Sequence, residues 1–269
     1  MALAEKIDQL EIALDLRRKV VGVTFLYDES AYERDPVPPV KNLFSFCMMV
    51  KVASSGAAIK AREENFKCPG ARRAFGMMKV DDHYSSGGRY FSFGLYQSLD
   101  IARKTAGAMA LLPRPVIGVT VQPLKDCVRE PDVAIIIADA YNVMRVVQGY
   151  TYHFGPAKQI QSCGNQGVCC ELTAQPFRTK DINVSLLCSG TRFSCRWEDG
   201  ELGVGMPFSM LPQVIDGVLK TADPTEPDRR KRSIMRRAAN RGSAFRVTPG
   251  ENYYRSDPGT GKLKPRAGE

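Results

Sequence analysis

The sequence has no run of about 18 apolar residues, the length a membrane-crossing helix needs. Histidine is scarce: His83 and His153 are the only two, without ligand spacing to each other, so a histidine-rich metal site is excluded. A proton-transfer role for His153, in Tyr150-Thr151-Tyr152-His153-Phe154-Gly155, competes with plain packing, and packing is the simpler reading. No Walker loop occurs, because Gly259-Thr260-Gly261-Lys262 lacks the spacing and the preceding strand. Neither G-x-S-x-G nor a complete G-x-G-x-x-G is present, which leaves hydrolase and dinucleotide-binding readings without support. Closely spaced C-x-x-C knuckles of the kind that hold structural zinc are missing too.

Cysteine, by contrast, is plentiful, with eight residues. Leu3, Ile7, Leu10 and Leu14 alternate with charges over 1–18, the pattern of an amphipathic helix and not of a signal peptide. A cytoplasmic location is therefore expected, where thiols stay reduced and a cysteine set points to metal or redox chemistry before disulfides. Cys127 and Cys195 are read as buried small apolar residues.

The remaining cysteines follow a repeat. Cys68-Pro69-Gly70-Ala71-Arg72 has a counterpart in Cys188-Ser189-Gly190-Thr191-Arg192. Each stands about 20 residues after an earlier cysteine, Cys47 in one case and Cys169 or Cys170 in the other. Val21-Gly22-Val23-Thr24 is echoed within Val116-Ile117-Gly118-Val119-Thr120-Val121. Helix patterns and strand patterns alternate, which implies a mixed α/β fold. The echoes suggest an internal duplication: two similar α/β halves, 1–112 and 113–222, joined at Pro113-Arg114-Pro115 and forming one compact unit.

Within that frame strands are expected over 20–26, 116–121, 133–138, 158–161 and 182–187. Helices are expected over 43–53 (carrying Cys47), 99–112, 141–150, around Cys169 and Cys170, and over 208–219. Pro69 suits the first position of a short helix, which would set Cys68 at its N-terminus, where negative charge is stabilised. Cys163-Gly164-Asn165-Gln166-Gly167 and Gly203-Val204-Gly205-Met206-Pro207 read as turns.

Four thiols delivered in two pairs suit a tetrahedral zinc or an iron–sulfur cluster. Scattered single cysteines, one of them in Cys-Pro, favour a [4Fe-4S] cluster, with zinc or merely packed thiols as the alternatives. The expected ligands are Cys47, Cys68, Cys170 and Cys188. Adjacent helical residues diverge by about 100 degrees, so only one of Cys169 and Cys170 should reach the site. Cys170 is preferred because Glu171 follows it as Met48 follows Cys47, and Cys169 is the substitute. Cys163 is a candidate extra thiol or a solvent-facing one. Gly70 and Gly190 would open backbone N–H groups to sulfide, and Arg72 and Arg192 would offset the negative charge.

The net charge of +9 is uneven, since residues 223–269 hold 12 Lys and Arg against 6 Asp and Glu. This basic C-terminal tail, with a helix-like stretch at 229–241, is expected to be extended and to order against another surface. It lacks base-stacking aromatics apart from Tyr253-Tyr254, which argues against nucleic acid and favours a docking arm.

Together these landmarks resemble the domain-of-unknown-function 169 family from about residue 18 to 219. The order is Cys47, Cys68-Pro69-Gly70, Pro123-Leu124, Pro131-Asp132-Val133, Met144-Arg145, Cys169 or Cys170, Cys188-Ser189-Gly190-Thr191-Arg192, and a Gly205-Met206-Pro207 turn. The family is common in anaerobic bacteria and archaea, and the resemblance implies a metal centre more than a given activity. The expectation is an iron–sulfur protein for electron transfer or reductive chemistry on a small substrate in anaerobic metabolism, an oxidoreductase or a subunit of one. The alternative is a non-catalytic accessory subunit, with structural zinc or buried cysteines, whose tail docks on a redox partner or a larger enzyme. A homo-oligomer is compatible with either.

Overall fold

The computed structural model describes residues 3–252, so Tyr253-Tyr254 and the last stretch of the basic tail lie outside the described residues. In chain order the first elements are α1 (Leu3–Leu14), β1 (Val21–Leu26), α2 (Glu29–Arg34), α3 (Phe46–Ser54), β2 (Ile59–Arg62) and α4 (Pro69–Ala74). Next come α5 (Asp82–Ser85), α6 (Gly88–Ser92), α7 (Leu99–Ala108), β3 (Gly118–Pro123), β4 (Val133–Asp139) and α8 (Ala140–Phe154). A π-helical segment (Gly167–Ala174) leads through α9 (Gln175–Thr179), β5 (Asn183–Ser185), α10 (Ser189–Cys195) and β6 (Glu201–Pro207). The described chain closes with α11 (Leu211–Lys220), α12 (Ala222–Thr225) and α13 (Asp228–Asn240). Two units share these elements, one built from 18–143 and 158–210, the other from 3–17, 144–157 and 211–252.

The larger unit is organised on one antiparallel sheet of order β2-β3-β1-β4-β6-β5. This is the mixed α/β fold expected. The strands that echo each other in sequence, β1 and β3, are neighbours, with Thr24 opposite Thr120. Valine and isoleucine dominate β1 and β4, and six consecutive residues of each are buried, so neither shows polar alternation. Helix starts are set by short polar caps: the Ser45 hydroxyl accepts from Met48 N at 3.1 Å to begin α3, and Ser98 does the same for α7 from Ile101 N at 3.3 Å. Phe25, Phe46 and Phe75 meet edge to face or tilted in the core, with the Phe46 and Phe75 ring centres 4.8 Å apart.

Two expectations fail in this unit. Residues 158–161 form no strand, because Gln161 pairs with a side chain: Asn183 Oδ1 accepts from Gln161 N (2.8 Å) and Asn183 Nδ2 donates to Gln161 O (3.0 Å). Gly203 to Pro207 is no turn but most of β6, paired with β4 along its length. Its glycines serve close packing. A Cβ on Gly205 would stand 2.1 Å from Leu172 O of the π-helical segment, and one on Gly203 would stand 2.2 Å from a Leu172 methyl.

The smaller unit is helical. A Cβ on Gly217 of α11 would meet Gly149 O of α8 at 2.1 Å, so these two backbones touch. Arg145 of α8 is fully buried, and its guanidinium donates to Glu226 Oε1 (2.8 Å), Val218 O (3.0 Å), Thr221 Oγ1 (3.0 Å) and Gln148 Oε1 (2.7 Å). The tail expected to be extended is folded through residue 240. Ile234 and Ala238 of α13 pack with Ile12, Ala222 and Val247, and buried Lys231 donates to Thr248 O (2.7 Å) and Glu251 O. The physical reason is an apolar stripe at helical spacing beneath the arginines. Among the described residues no helix is long and apolar enough to cross a membrane.

The Gly205 contact yields a paired prediction. Gly205→Ala should cost about 1–3 kcal/mol, because backbone and not a pliable side chain must move. Gly107→Ala in α7, where a Cβ meets nothing within 4 Å, should be neutral or stabilising by up to about 1 kcal/mol. Urea unfolding of both variants measures the contrast.

Candidate functional site

Four chain segments converge in the larger unit, each presenting one cysteine. Cys47 lies in the first turn of α3 and Cys68 is the N-cap of α4, with Pro69 at the first helical position as expected. These two starts are held side by side by a short parallel bridge: Phe44 N donates to Asn65 O (2.8 Å) and Lys67 N to Phe44 O (2.9 Å). Cys188 is the N-cap of α10, its sulfur accepting from Thr191 N at 3.3 Å. Cys169 sits in the π-helical segment, whose first residue, Gly167, is pressed on the loop that leads from β5 to Cys188. A Cβ there would come within 2.8 Å of Leu187 Cα and 2.9 Å of Cys188 N. Only glycine allows that approach, and it brings the third thiol toward the fourth.

Cys47, Cys68, Cys169 and Cys188 line one cavity of about 240 Å³. The Thr191 hydroxyl touches two of the sulfurs, Cys47 Sγ at 3.0 Å and Cys188 Sγ at 2.9 Å. Gly70 and Gly190 are on the wall. Cys170 is not. Its sulfur lies 2.9 Å from the Gln166 side-chain amide, facing a small separate void with Cys163 and Glu171. Cys163 N donates to the Glu171 carboxylate, which also accepts from Ser162 Oγ (3.2 Å) and Ser185 Oγ. Glu171 therefore pins the glycine-rich turn and is not on the wall of the larger cavity. Arg72 pairs with Glu63, and Arg192 donates to Glu198 O (2.7 Å), Leu186 O (2.9 Å) and Glu201 O (2.8 Å), so both are engaged in structure elsewhere. His153 pairs with Asp216 at 2.8 Å in the smaller unit.

The charged group on the cavity wall is instead Arg89, whose guanidinium lies over the rings of Tyr84 (4.9 Å) and Phe93 (5.2 Å). Tyr90, Asn165 and Gln166 complete that side. The Gln166 amide, oriented to satisfy both ends, accepts from Arg73 Nη2 (2.7 Å) and the Tyr90 hydroxyl and donates to Gly70 O (3.2 Å). Burial pushes the Tyr90 phenol well above its ordinary value; it stays protonated. The signal for Arg89 was its place in Gly87-Gly88-Arg89-Tyr90, where Gly87 (φ +80) turns the chain back beneath α7. A turn sequence alone does not show which cavity its neighbours face.

The thiols are unlike one another. Cys47 is pushed well up by its hydrogen bond to Cys195, by burial and by the neighbouring Cys188 sulfur. Cys195 moves the other way, down to about 7, through its hydrogen bond with Cys47, the Ser45 hydroxyl at 3.4 Å and the charge of Lys51. Cys169 is pushed well up by Cys170, burial and the sulfurs of Cys47 and Cys68. Among the described residues no three Cys, His, Asp or Glu side chains are drawn together closely enough to hold a single ion as they stand.

Fold and site define a mixed α/β protein with a cysteine-lined cavity. It belongs to the domain-of-unknown-function 169 family, described as Uncharacterised ArCR, which matches residues 9–217. It is also similar to the uncharacterized protein MJ0308 of Methanocaldococcus jannaschii, 24% identical over 174 residues, 64% of this chain and 75% of that one. No solved structure matches it.

Because one hydroxyl serves two thiols, Thr191→Val should destabilise the reduced, metal-free protein by about 1 kcal/mol, and Thr191→Ser should restore most of the loss. Equilibrium unfolding in urea under reducing conditions compares the three.

Proposed function

We propose that the cavity holds an iron–sulfur cluster on Cys47, Cys68, Cys169 and Cys188, and that the protein serves electron transfer or reductive chemistry on a small molecule. The observation that carries this reading is the meeting of four thiols from four separate segments around one cavity of about 240 Å³. Thiolates are the usual ligands of such clusters, and scattered single cysteines without C-x-x-C knuckles suit a cluster better than a structural zinc. When bound, the cluster would supply one-electron transfer.

The chain's own residues divide the remaining work. Thr191 orients the sulfurs of Cys47 and Cys188, and its backbone N–H faces Cys188. Gly70 and Gly190 leave the wall without side chains, so backbone can approach the bound group. Arg89 places a positive charge opposite the thiols, where Arg72 and Arg192 had been expected to supply it. Tyr84, Tyr90 and Phe93 make that side of the cavity aromatic, excluding water from part of it.

Protein prepared without oxygen should carry about four irons and four sulfides per chain and absorb broadly near 400 nm. Replacement of Cys47, Cys68, Cys169 or Cys188 by serine should each lower iron content by half or more, whereas Cys127→Ser and Cys170→Ser should retain it. Colourless protein with about one zinc per chain would replace the reading by a structural site in an accessory subunit.

A further inference from the structure

The arginines of α13 have no part in the cysteine cavity, yet three of them share a cavity of their own. Arg229, Arg230, Ser233 and Arg237 line one wall of a space of about 300 Å³ in the smaller unit. The facing wall is the end of α1: Ala13, Leu14 and Asp15. Helical spacing explains the first wall, since positions three, four and seven apart fall on one face.

Arg237 is fixed there. Its Nε donates to Ile12 O at 2.8 Å, its Nη2 reaches Ala13 O at 3.5 Å, and its Nη1 lies 3.3 Å from Asp15 Oδ2. Burial holds this guanidinium below its ordinary value; Asp15 pulls it back up, and the charges of Arg230 and Arg241 press it down again. Arg230 is 4.0 Å from Glu226, whose nearer partner is Arg145 at 2.8 Å. Arg229 is exposed and makes no ion pair among the described residues. The Ser233 hydroxyl already donates to Arg229 O at 3.2 Å, so recognition at this wall falls to the guanidinium groups. Three cations thus face a concave space whose lining contributes a single carboxylate.

We propose that this cavity binds the phosphate group of a small phosphorylated ligand, with Arg229 and Arg230 closing on the anion against the fixed Arg237. A tetrahedral, doubly charged oxyanion offers acceptors to more than one guanidinium fork and outweighs Asp15. A carboxylate has two oxygens and one charge, and would leave part of the array unanswered. The concavity favours a terminal phosphate over a long polyanion, since Arg232 and Arg236, which a surface tract would also use, are exposed and lie off the lining. The site is independent of the cluster reading and stands or falls alone.

Calorimetric titration of the full-length chain with pyrophosphate, against chloride at matched ionic strength, tests it. Saturable binding is expected, weakened about tenfold or more in Arg229→Gln/Arg230→Gln and strengthened in Asp15→Asn, which removes the opposing carboxylate. Circular dichroism establishes that each variant is folded. Should the double variant unfold, Arg229→Gln alone carries the comparison, its side chain being exposed. Heats equal to those of chloride, or binding untouched by the arginine replacements, would overturn the proposal. So would binding of a nucleic-acid duplex or of anionic vesicles without binding of pyrophosphate, which would make the face a polyanion surface instead.

Discussion

A carbonyl oxygen of the π-helical segment, Leu172 O, lies where a side chain on Gly205 would have to stand, and much of the cysteine cavity depends on that contact. β6 runs between β4 and β5 in the sheet, so a helix resting directly on its backbone is fixed with respect to the whole larger unit. The same segment meets the loop between β5 and Cys188 through Gly167. Two close approaches, one at each end, therefore determine where Cys169 stands. α3 and α4 also pack on this segment, and they bring Cys47 and Cys68. The cavity exists because backbone meets backbone where larger residues would hold the elements apart.

The smaller unit relies on buried charge rather than on missing side chains alone. Arg145 would be costly to bury unpaired, but Glu226, Val218 O, Thr221 and Gln148 satisfy its donors. Lys231 is completely buried and is answered by two carbonyls, with Asp223 at 3.6 Å. These pairs tie the start of α13 and the residues that follow it to the end of α11, and this is why a strongly basic segment folds at all. Composition alone suggested an extended tail. The folding signal was Ile234 and Ala238, four apart with Lys231 on the same side, and six arginines and lysines nearby obscured it.

Strands rich in valine and isoleucine were legible because their burial leaves no alternation to confuse, and β1, β3 and β4 follow the apolar runs to within two residues. The N-cap position of Cys68 was legible from Pro69, and the structure places Cys188, in the second Cys-x-Gly-x-Arg, at the same position of its own helix. Which of Cys169 and Cys170 lines the cavity was not legible. A regular helix rotates about 100 degrees per residue, whereas a π-helical turn is wider, and no local pattern in Gly167 to Ala174 announces the change. β6 was misread for a related reason: Gly203 and Gly205 resemble turn glycines unless the carbonyl and methyl groups pressing on them are known. Arg89 was missed because its role depends on where α5 and α6 place Tyr84 and Phe93, and not on its own neighbours in sequence.

The unequal thiols bear on how a metal would enter. Cys47 holds its proton strongly because Cys195, hydrogen-bonded to it, is the better anion of the two, at about 7. Cys195 is not on the cavity wall, while Cys47 is. In the metal-free protein the negative charge therefore favours the sulfur away from the cavity, and the proton favours the sulfur within it. A metal proposed to bind at Cys47 would have to displace that proton, as thiolate and not thiol is the ligand. Displacement becomes easier as pH rises. It also returns Cys195 toward ordinary behaviour, since the thiol that donated to it is gone. If the proposed cluster binds at Cys47, its loading and the protonation of Cys195 would be one linked equilibrium.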